Sequence, residues 1–483
     1  MKSIRIGSGA GFSGDRIDPA VLLAEKGALN YLVLECLAER TIALAQKRKL
    51  ANPDLGYDPL LEKRITPLLP HLKKYKVRLI SNIGAANPLA AAKKIREIAQ
   101  NLGLNFKIAA VLGDDVLEFV ELNKGSLKTI ETGKPLSDYE ILSANAYIGT
   151  EGIVEALHQG ADIVITGRVA DPSLFLAPML FEFNWGSNDW KKLGRGTIVG
   201  HLLECAGQLT GGYFADLRHK KVEDLANLGF PFADVTEDGL ATFSKLPKTG
   251  GLLNLQTAKE QLLYEVVNPY AYLTPDVSAD FMSVQLKEIG PNKVQLCEGG
   301  GNEKPKTLKV SVGYRSFFQG EGEISYGGSD AVDRARLAGE IILQRFKSEQ
   351  SEQDFFQINA NNKSEGLEIQ VAPSETGGKK DQEALRETRG NKDQIWDLRT
   401  ELIGVNSLFQ GSLEGSNPSE VRLRVVGKAD SAESAALIGE EVEALYTNGP
   451  AGGGGVRKNT IEQIGIVSIL FPRELIEQTV IFV

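Results

Sequence analysis

Gly160-Ala-Asp-Ile-Val-Ile-Thr-Gly-Arg-Val-Ala-Asp-Pro-Ser-Leu-Phe-Leu-Ala-Pro178 is the stretch whose reading decides the fold. Ile163-Val164-Ile165 is a short unbroken apolar run, which suits a strand buried on both faces. Gly160 stops a helical run over Thr150–Gln159, and Thr166-Gly167-Arg168 ends the strand with polar groups. Asp171-Pro172 reads as an N-cap followed by a proline at the first helical position, opening a helix over Ser173–Leu180. Helix, buried strand, polar loop and helix form the unit of a parallel α/β sheet. In such sheets ligands sit outside the carboxyl ends of the strands, where loops and helix N-termini converge. Arg168 and Asp171 stand at such an end, either as catalytic groups or as an ion pair that ties the loop.

The chain before this stretch repeats the pattern. Ser3–Ile6 reads as a first strand, followed by the glycine-rich loop Gly7–Gly14 and a helix opened by Asp18-Pro19. Gly9-Ala-Gly11-Phe-Ser-Gly14 has the spacing of a dinucleotide loop, but the loop is long and Asp15 would repel phosphate. It reads better as the lining of another pocket, with Gly11, Gly14, Asp15 and Arg16 as substrate-binding candidates. Tyr31–Leu34 ends in Glu35, Lys76–Ile80 ends in Ser81-Asn82, and Phe106–Leu112 ends in Gly113-Asp114-Asp115. Strand after strand therefore delivers a polar residue to one sheet edge, which makes Glu35, Asn82 and Asp114 further binding candidates.

Beyond residue 178, Thr197–Leu209 is helical in period. His201, Glu204 and Cys205 stand at i, i+3 and i+4 and share one face. Three groups able to move protons or attack make this the strongest catalytic candidate; a buried cysteine with a histidine satisfied by Glu204 is the structural alternative. The expectation is that this face turns toward the pocket, with Cys205 as pocket wall because no second base stands beside it. Lys248, in the turn Pro247–Gly251, is a phosphate or carboxylate contact or an ordinary surface residue. No metal-binding spacing is complete.

After residue 275 the pattern changes to short alternating strands, Phe281–Leu286, Lys293–Leu296, Thr307–Gly313 and Gly322–Tyr326. Two amphipathic helices, Ser329–Phe346 and Asp430–Tyr446, carry glycine at the same step. The expected architecture is α/β: a large, mainly parallel sheet with flanking helices over residues 1–275, holding the active site. An α+β, ferredoxin-like region covers 276–483, with a polar loop near 347–366. The four consecutive glycines Gly452–Gly455 form either a mobile connector or a loop that closes on a ligand or neighbouring subunit.

Composition narrows the function. A chain of 483 residues is too long for one ordinary core. A net charge of −9 argues against a nucleic-acid or anionic-membrane binder. Any anionic substrate must then meet a local basic or backbone N–H site. Cys36, Cys205 and Cys297 are far apart, so neither a zinc framework nor a disulfide scaffold is indicated. No run approaches membrane-spanning length, and a cytoplasmic protein is expected.

Several stretches together resemble the acyclic terpene utilisation AtuA family. They are Ile6–Arg16, Gly84–Pro88, Gly160–Pro178, Gly200–Cys205, Thr210–Asp216, Glu260–Val266, Gly320–Ile324 and Thr447–Gly455. The resemblance implies a place in citronellol- and geraniol-type degradation, which runs through branched acyl-CoA esters and a biotin-dependent carboxylase. It carries over no catalytic residue and no cofactor. Two expectations follow. One is an enzyme of the hydratase or lyase type, acting by general acid/base chemistry on a small-molecule substrate such as a branched acyl-CoA thioester or hydroxy acid. The other is a non-catalytic ligand-binding or partner subunit of an acyl-CoA pathway complex, with a carboxylase as partner. The acidic, strand-rich C-terminal segments also suit a symmetric homo-oligomer.

Overall fold

The computed structural model describes residues 2–350, 395–408 and 418–483. The chain forms two compact units, residues 1–314 with 465–483, and residues 315–464. The heart of the first unit is a parallel block of β1 (Ser3–Ala10), β2 (Tyr31–Leu34), β3 (Arg78–Ser81), β4 (Ile108–Leu112) and β6 (Ile163–Thr166), in the order β4-β6-β3-β2-β1. β5 (Ile141–Ala146) pairs elsewhere. Register runs Leu34 to Ser81 and Ser81 to Ile165, so the polar residues that follow these strands emerge at one edge. β1 is longer than the sequence reading allows, and Gly7 and Gly9 lie within the strand.

Unbroken apolar strands load both faces of this sheet. Leu32, Leu34, Leu79, Ile163 and Ile165 pack under α1 (Asp18–Lys26), α3 (Leu61–Tyr75) and α4 (Pro88–Asn101). Tyr31, Val33, Ile80 and Val164 point the other way, beneath α6 (Glu151–His158), α7 (Asp171–Phe183) and α8 (Trp190–Glu204). Two further helices, α2 (Glu39–Ala51) and α5 (Leu117–Asn123), follow β2 and β4.

The α/β class is as expected, but the sheet is mixed and has 11 strands. Beyond β1 it continues antiparallel through β7 (Pro231–Thr236) and β8 (Ala241–Lys245). α9 (Leu255–Leu263) then intervenes before β9 (Tyr272–Leu273), β10 (Ser278–Gly290) and β11 (Lys293–Asn302), in the order β7-β8-β11-β10-β9. The reason is local: Gly239 takes φ +82° and turns the chain straight back, so no crossover helix separates β7 from β8. β10 and β11, past residue 275, thus belong to the first unit's sheet.

The second unit contains the outer part of β12 (Thr307–Gly327), then α10 (Ala331–Gln350), β13 (Ile395–Ile403), β14 (Glu420–Ala429), α11 (Ala432–Asn448) and most of β15 (Gly453–Pro472). Its strand order β13-β14-β12-β15, with a helix following the first and third strands, is that of the ferredoxin-like split βαβ. Ile324, Tyr326, Leu423 and Val425 face Ala335, Ile342, Ile438 and Val442 of the two helices. Of the polar stretch expected as a loop near 347–366, the first residues end α10 and the part from 351 lies outside the described residues. The chain leaves the first unit after Tyr314 and returns at Gly465, where a β-carbon would run into the Tyr314 ring. Finally β16 (Thr479–Phe482) pairs antiparallel with β4.

Candidate functional site

A cavity of about 1220 Å³ opens in the first unit at the carboxyl ends of β1, β2 and β6. The loop after β1 forms one wall. Gly11 lies against the backbone of Cys205, where a β-carbon would stand 2.6 Å from the carbonyl carbon. The Asp15 carboxylate accepts the Gly11 N–H (2.9 Å) and the Arg16 N–H (2.8 Å). Arg64, fully buried on α3, holds the loop from below by donating to the Ser13 and Asp15 carbonyls (2.8 and 2.7 Å). Asp15 therefore takes an N–H that a phosphate would need, and the loop is a wall, not a phosphate cradle. Gly14 faces a separate shallow groove beside Lys63 and Pro67, while exposed Arg16 lines both and pairs with Asp18 at 2.6 Å.

The floor is built by the residues after the other parallel strands. Glu35 Oε1 accepts from Asn82 Nδ2 (3.0 Å) and from the Leu37 N–H (2.7 Å), and Asn82 Oδ1 accepts from the Cys36 N–H (2.7 Å). Asp114 Oδ2 accepts from the Arg168 N–H and from Asn145 Nδ2, both at 2.9 Å. Asn82 and Asp114 thus lie beneath the lining and fix Glu35 and Arg168 above them. Arg168, 1% exposed, donates to the Leu37 carbonyl (2.6 Å), to the Val169 carbonyl (2.7 Å) and to Asp171, with its guanidinium 4.5 Å from the Tyr147 ring centroid. Asp171 is the first residue of α7 and not its N-cap, which is Ala170. Its carboxylate turns to Arg168 in preference to the helix N–H groups. Burial and the nearby Asp171 hold Glu35 well above the usual carboxylate range, and burial pushes Asp114 up to about 6.

The opposite wall comes from α8. This helix begins at Trp190, not after Gly196-Thr197, and Gly194 lies inside it because the helix packs directly on the Gly300 backbone of β11. Glu204 is its last residue, and Glu204 and Cys205 both line the cavity. His201 does not: it lies behind Glu204, 1% exposed, with Tyr272 and Phe281 ring centroids at 5.3 and 5.1 Å. Its Nδ1 is 2.9 Å from Glu204 Oε1. His201 Nε2 and Glu204 Oε2 have no hydrogen-bond partner within the protein. Burial pushes the Glu204 carboxyl up to about 7, against the opposing effects of His201's charge and hydrogen bond. Burial and the Glu204 charge drive the Cys205 thiol well up, so it stays protonated and serves as wall.

The model of a family described as acyclic terpene utilisation family protein AtuA matches residues 4–380 and 379–482. The chain belongs to the AtuA family. No curated protein and no solved structure matches it.

In this AtuA-family chain the structure brings together Gly11, Asp15, Arg16, Glu35, Arg168, Asp171, Glu204 and Cys205 around one cavity. Lys248 lies apart, exposed in a left-handed turn (φ +63°). The buried lysine of that region is Lys245, which donates to the Thr249 carbonyl at 2.7 Å. The sequence reading passes over Tyr147, Glu265, Tyr272 and Lys309, all of which line the cavity. Glu265 adopts φ +59°, a strained conformation of the kind that collects at functional sites. Tyr272 follows Asn268-Pro269, a turn signal that marks a helix stop but not what comes after it. Among the described residues, no group of three or more His, Cys, Asp or Glu is arranged to hold a metal. No helix among them is long and apolar enough to cross a membrane.

Proposed function

We propose that this protein is an enzyme of acyclic terpene catabolism that moves a proton on a branched acyl-CoA or hydroxy-acid substrate, as a hydratase or lyase does. One observation carries the reading: Glu204 faces the cavity with one free carboxylate oxygen and an affinity for protons near neutrality. A group that exchanges its proton around pH 7 serves as general acid in one direction and general base in the other. In dehydration the Glu204 carboxylate takes the proton from the carbon beside the carbonyl and delivers it to the neighbouring hydroxyl, which leaves as water while the double bond forms, and hydration runs the same steps in reverse. His201 holds Oε1, and the buried Oε2 is left without a partner within the protein. Phe12, Leu228, Phe230 and Leu273 give the cavity apolar walls for a hydrocarbon chain.

Membership of the AtuA family supports the pathway. Incubating the purified protein with a panel of branched acyclic acyl-CoA esters and hydroxy acids tests the reaction, with loss or gain of water read by mass spectrometry. A second reading, a non-catalytic partner subunit, is favoured by the apolar rim. Phe12, Leu273 and Tyr213 are 59, 64 and 91% exposed at the cavity mouth. Clean co-purification with an acyl-CoA carboxylase and no turnover on the panel would select it.

A further inference from the structure

We propose that Tyr272 is a second catalytic residue of the cavity, the hydrogen-bond donor that receives the carbonyl oxygen of a thioester substrate while the carbon beside it loses its proton. The proposal rests on the acid/base reading of Glu204 and adds the group that stabilises the charge which that step creates.

Placement is the first argument. Tyr272 opens β9, where it pairs with Ala279 of β10. Its ring lies 4.8 Å from that of Phe281, stacked at 27°, and 5.3 Å from that of His201. A phenol clamped in this way has little room to swing, so its hydroxyl is preorganised. Tyr272 lines the cavity, and so do Glu204, Asp171, Glu265 and Cys205, the ionisable groups close enough to act on its hydroxyl.

Unmet bonding is the second argument, and it is independent of the first. Among the described residues the Tyr272 hydroxyl has no partner, and unlike Glu204 Oε2 it is not sealed from the cavity. The neighbouring donors are committed: Arg168 to the Leu37 and Val169 carbonyls and to Asp171, Tyr147 and Lys309 both to Glu39. Burial pushes the Tyr272 phenol well up, and any charge on Glu204 pushes the same way, so the group stays a neutral O–H at neutral pH.

The chemistry follows from these two. As Glu204 takes the proton from the carbon beside the carbonyl, the electron pair of that C–H bond moves onto the carbonyl oxygen. The Tyr272 O–H strengthens its hydrogen bond to the enolate oxygen and keeps its own proton. The pair then returns to form the carbon–carbon double bond, and the hydroxyl leaves as water with the proton from Glu204.

The test uses 4-(dimethylamino)cinnamoyl-CoA, a thioester whose absorption band moves to longer wavelength when a donor polarises its carbonyl. It is titrated near neutral pH into the full protein and into Tyr272→Phe. A red shift in the wild type that is mostly lost in the variant, with affinity falling by no more than about tenfold, is the expected result. The variant keeps the ring against His201 and Phe281 and removes a hydroxyl that bonds nothing in the protein, so its melting temperature should be unchanged. An equal shift in both proteins overturns the proposal. So does a wild type that leaves the band in place or does not bind the thioester, a result that needs no variant. None of these outcomes touches the Glu204 reading, which is judged by loss or gain of water on the ester panel. For an ester that turns over, kcat of Tyr272→Phe is expected to fall by about 10²–10³ with KM nearly unchanged, and an unchanged kcat also overturns the proposal.

Discussion

His201 Nδ1 and Glu204 Oε1 stand 2.9 Å apart, one helical turn from each other, yet only Glu204 reaches the cavity. The histidine is thus a positioning residue. It fixes one carboxylate oxygen and leaves the other buried without a partner, and its own unpaired nitrogen is sealed among Tyr272 and Phe281.

Glu204 should make the fold less stable as pH rises. Its carboxyl binds a proton up to about 7 in the folded chain, against the usual glutamate value of 4.5. Between these values the native state holds a proton that the unfolded state has released, so stability falls with rising pH and levels off above about 7. Glu204→Gln removes this contribution. Chemical denaturation at about pH 5 and pH 8 should show the wild type losing on the order of 2–3 kcal/mol more than the variant. An equal loss in both proteins would remove Glu204 as the titrating group.

His201→Phe keeps a ring between Tyr272 and Phe281 but deletes the partner that lowers the Glu204 proton affinity. The carboxyl should then hold its proton to higher pH. The corresponding inflection in the pH–rate profile should move upward, with kcat reduced and the melting temperature nearly unchanged. An unmoved inflection would mean that the pair is not coupled in solution.

Arg168→Lys should be severe. A lysine cannot reproduce the planar fork that meets Leu37, Val169 and Asp171 together, and it would leave the Leu37 and Val169 carbonyls short of donors and the one-third exposed Asp171 carboxylate without its partner. A loss of about 3–5 kcal/mol in stability is expected by denaturant titration. A loss below about 1 kcal/mol would show that the arginine is not the tie between the loops after β2 and β6.

Gly11→Ala probes the wall facing Cys205. A β-carbon there would press on the Cys205 backbone, so either the loop after β1 or the end of α8 must shift. Overpacking of this kind costs about 1–3 kcal/mol. Ligand affinity should fall along with stability, because both segments line the cavity. Lys248→Ala, in an exposed turn apart from the cavity lining, should leave affinity unchanged.

Much of the site was legible because buried parallel strands announce themselves as short apolar runs and the residue after each run lands at a shared edge. Glu35, Asn82, Asp114 and Arg168 were found in this way, and the structure hydrogen-bonds them in two pairs. Periodicity also put His201 and Glu204 on one face. It could not say what covers that face, because Tyr272 and Phe281 arrive from strands much further along the chain. Gly196 reads as the boundary of the helix at Thr197–Leu209, whereas α8 begins at Trp190 and close packing on β11 calls for glycine at 194. The β7–β8 hairpin carries its own signal in Asp238-Gly239 between Phe232–Val235 and Ala241–Phe243, one that a strand-by-strand search for parallel units does not use.

Tyr314 and Gly465 touch where the chain leaves the first unit and comes back to it. The two positions lie within the continuous strands β12 and β15, and backbones this close could be joined by a very short link. The second unit therefore has the topology of a cassette: it could have entered an ancestral gene as a single insertion without disturbing the strand pairing on either side. The sheet that carries Glu35 and Arg168 has no covalent need of the residues between, so the cavity and the ferredoxin-like unit can have had separate evolutionary histories.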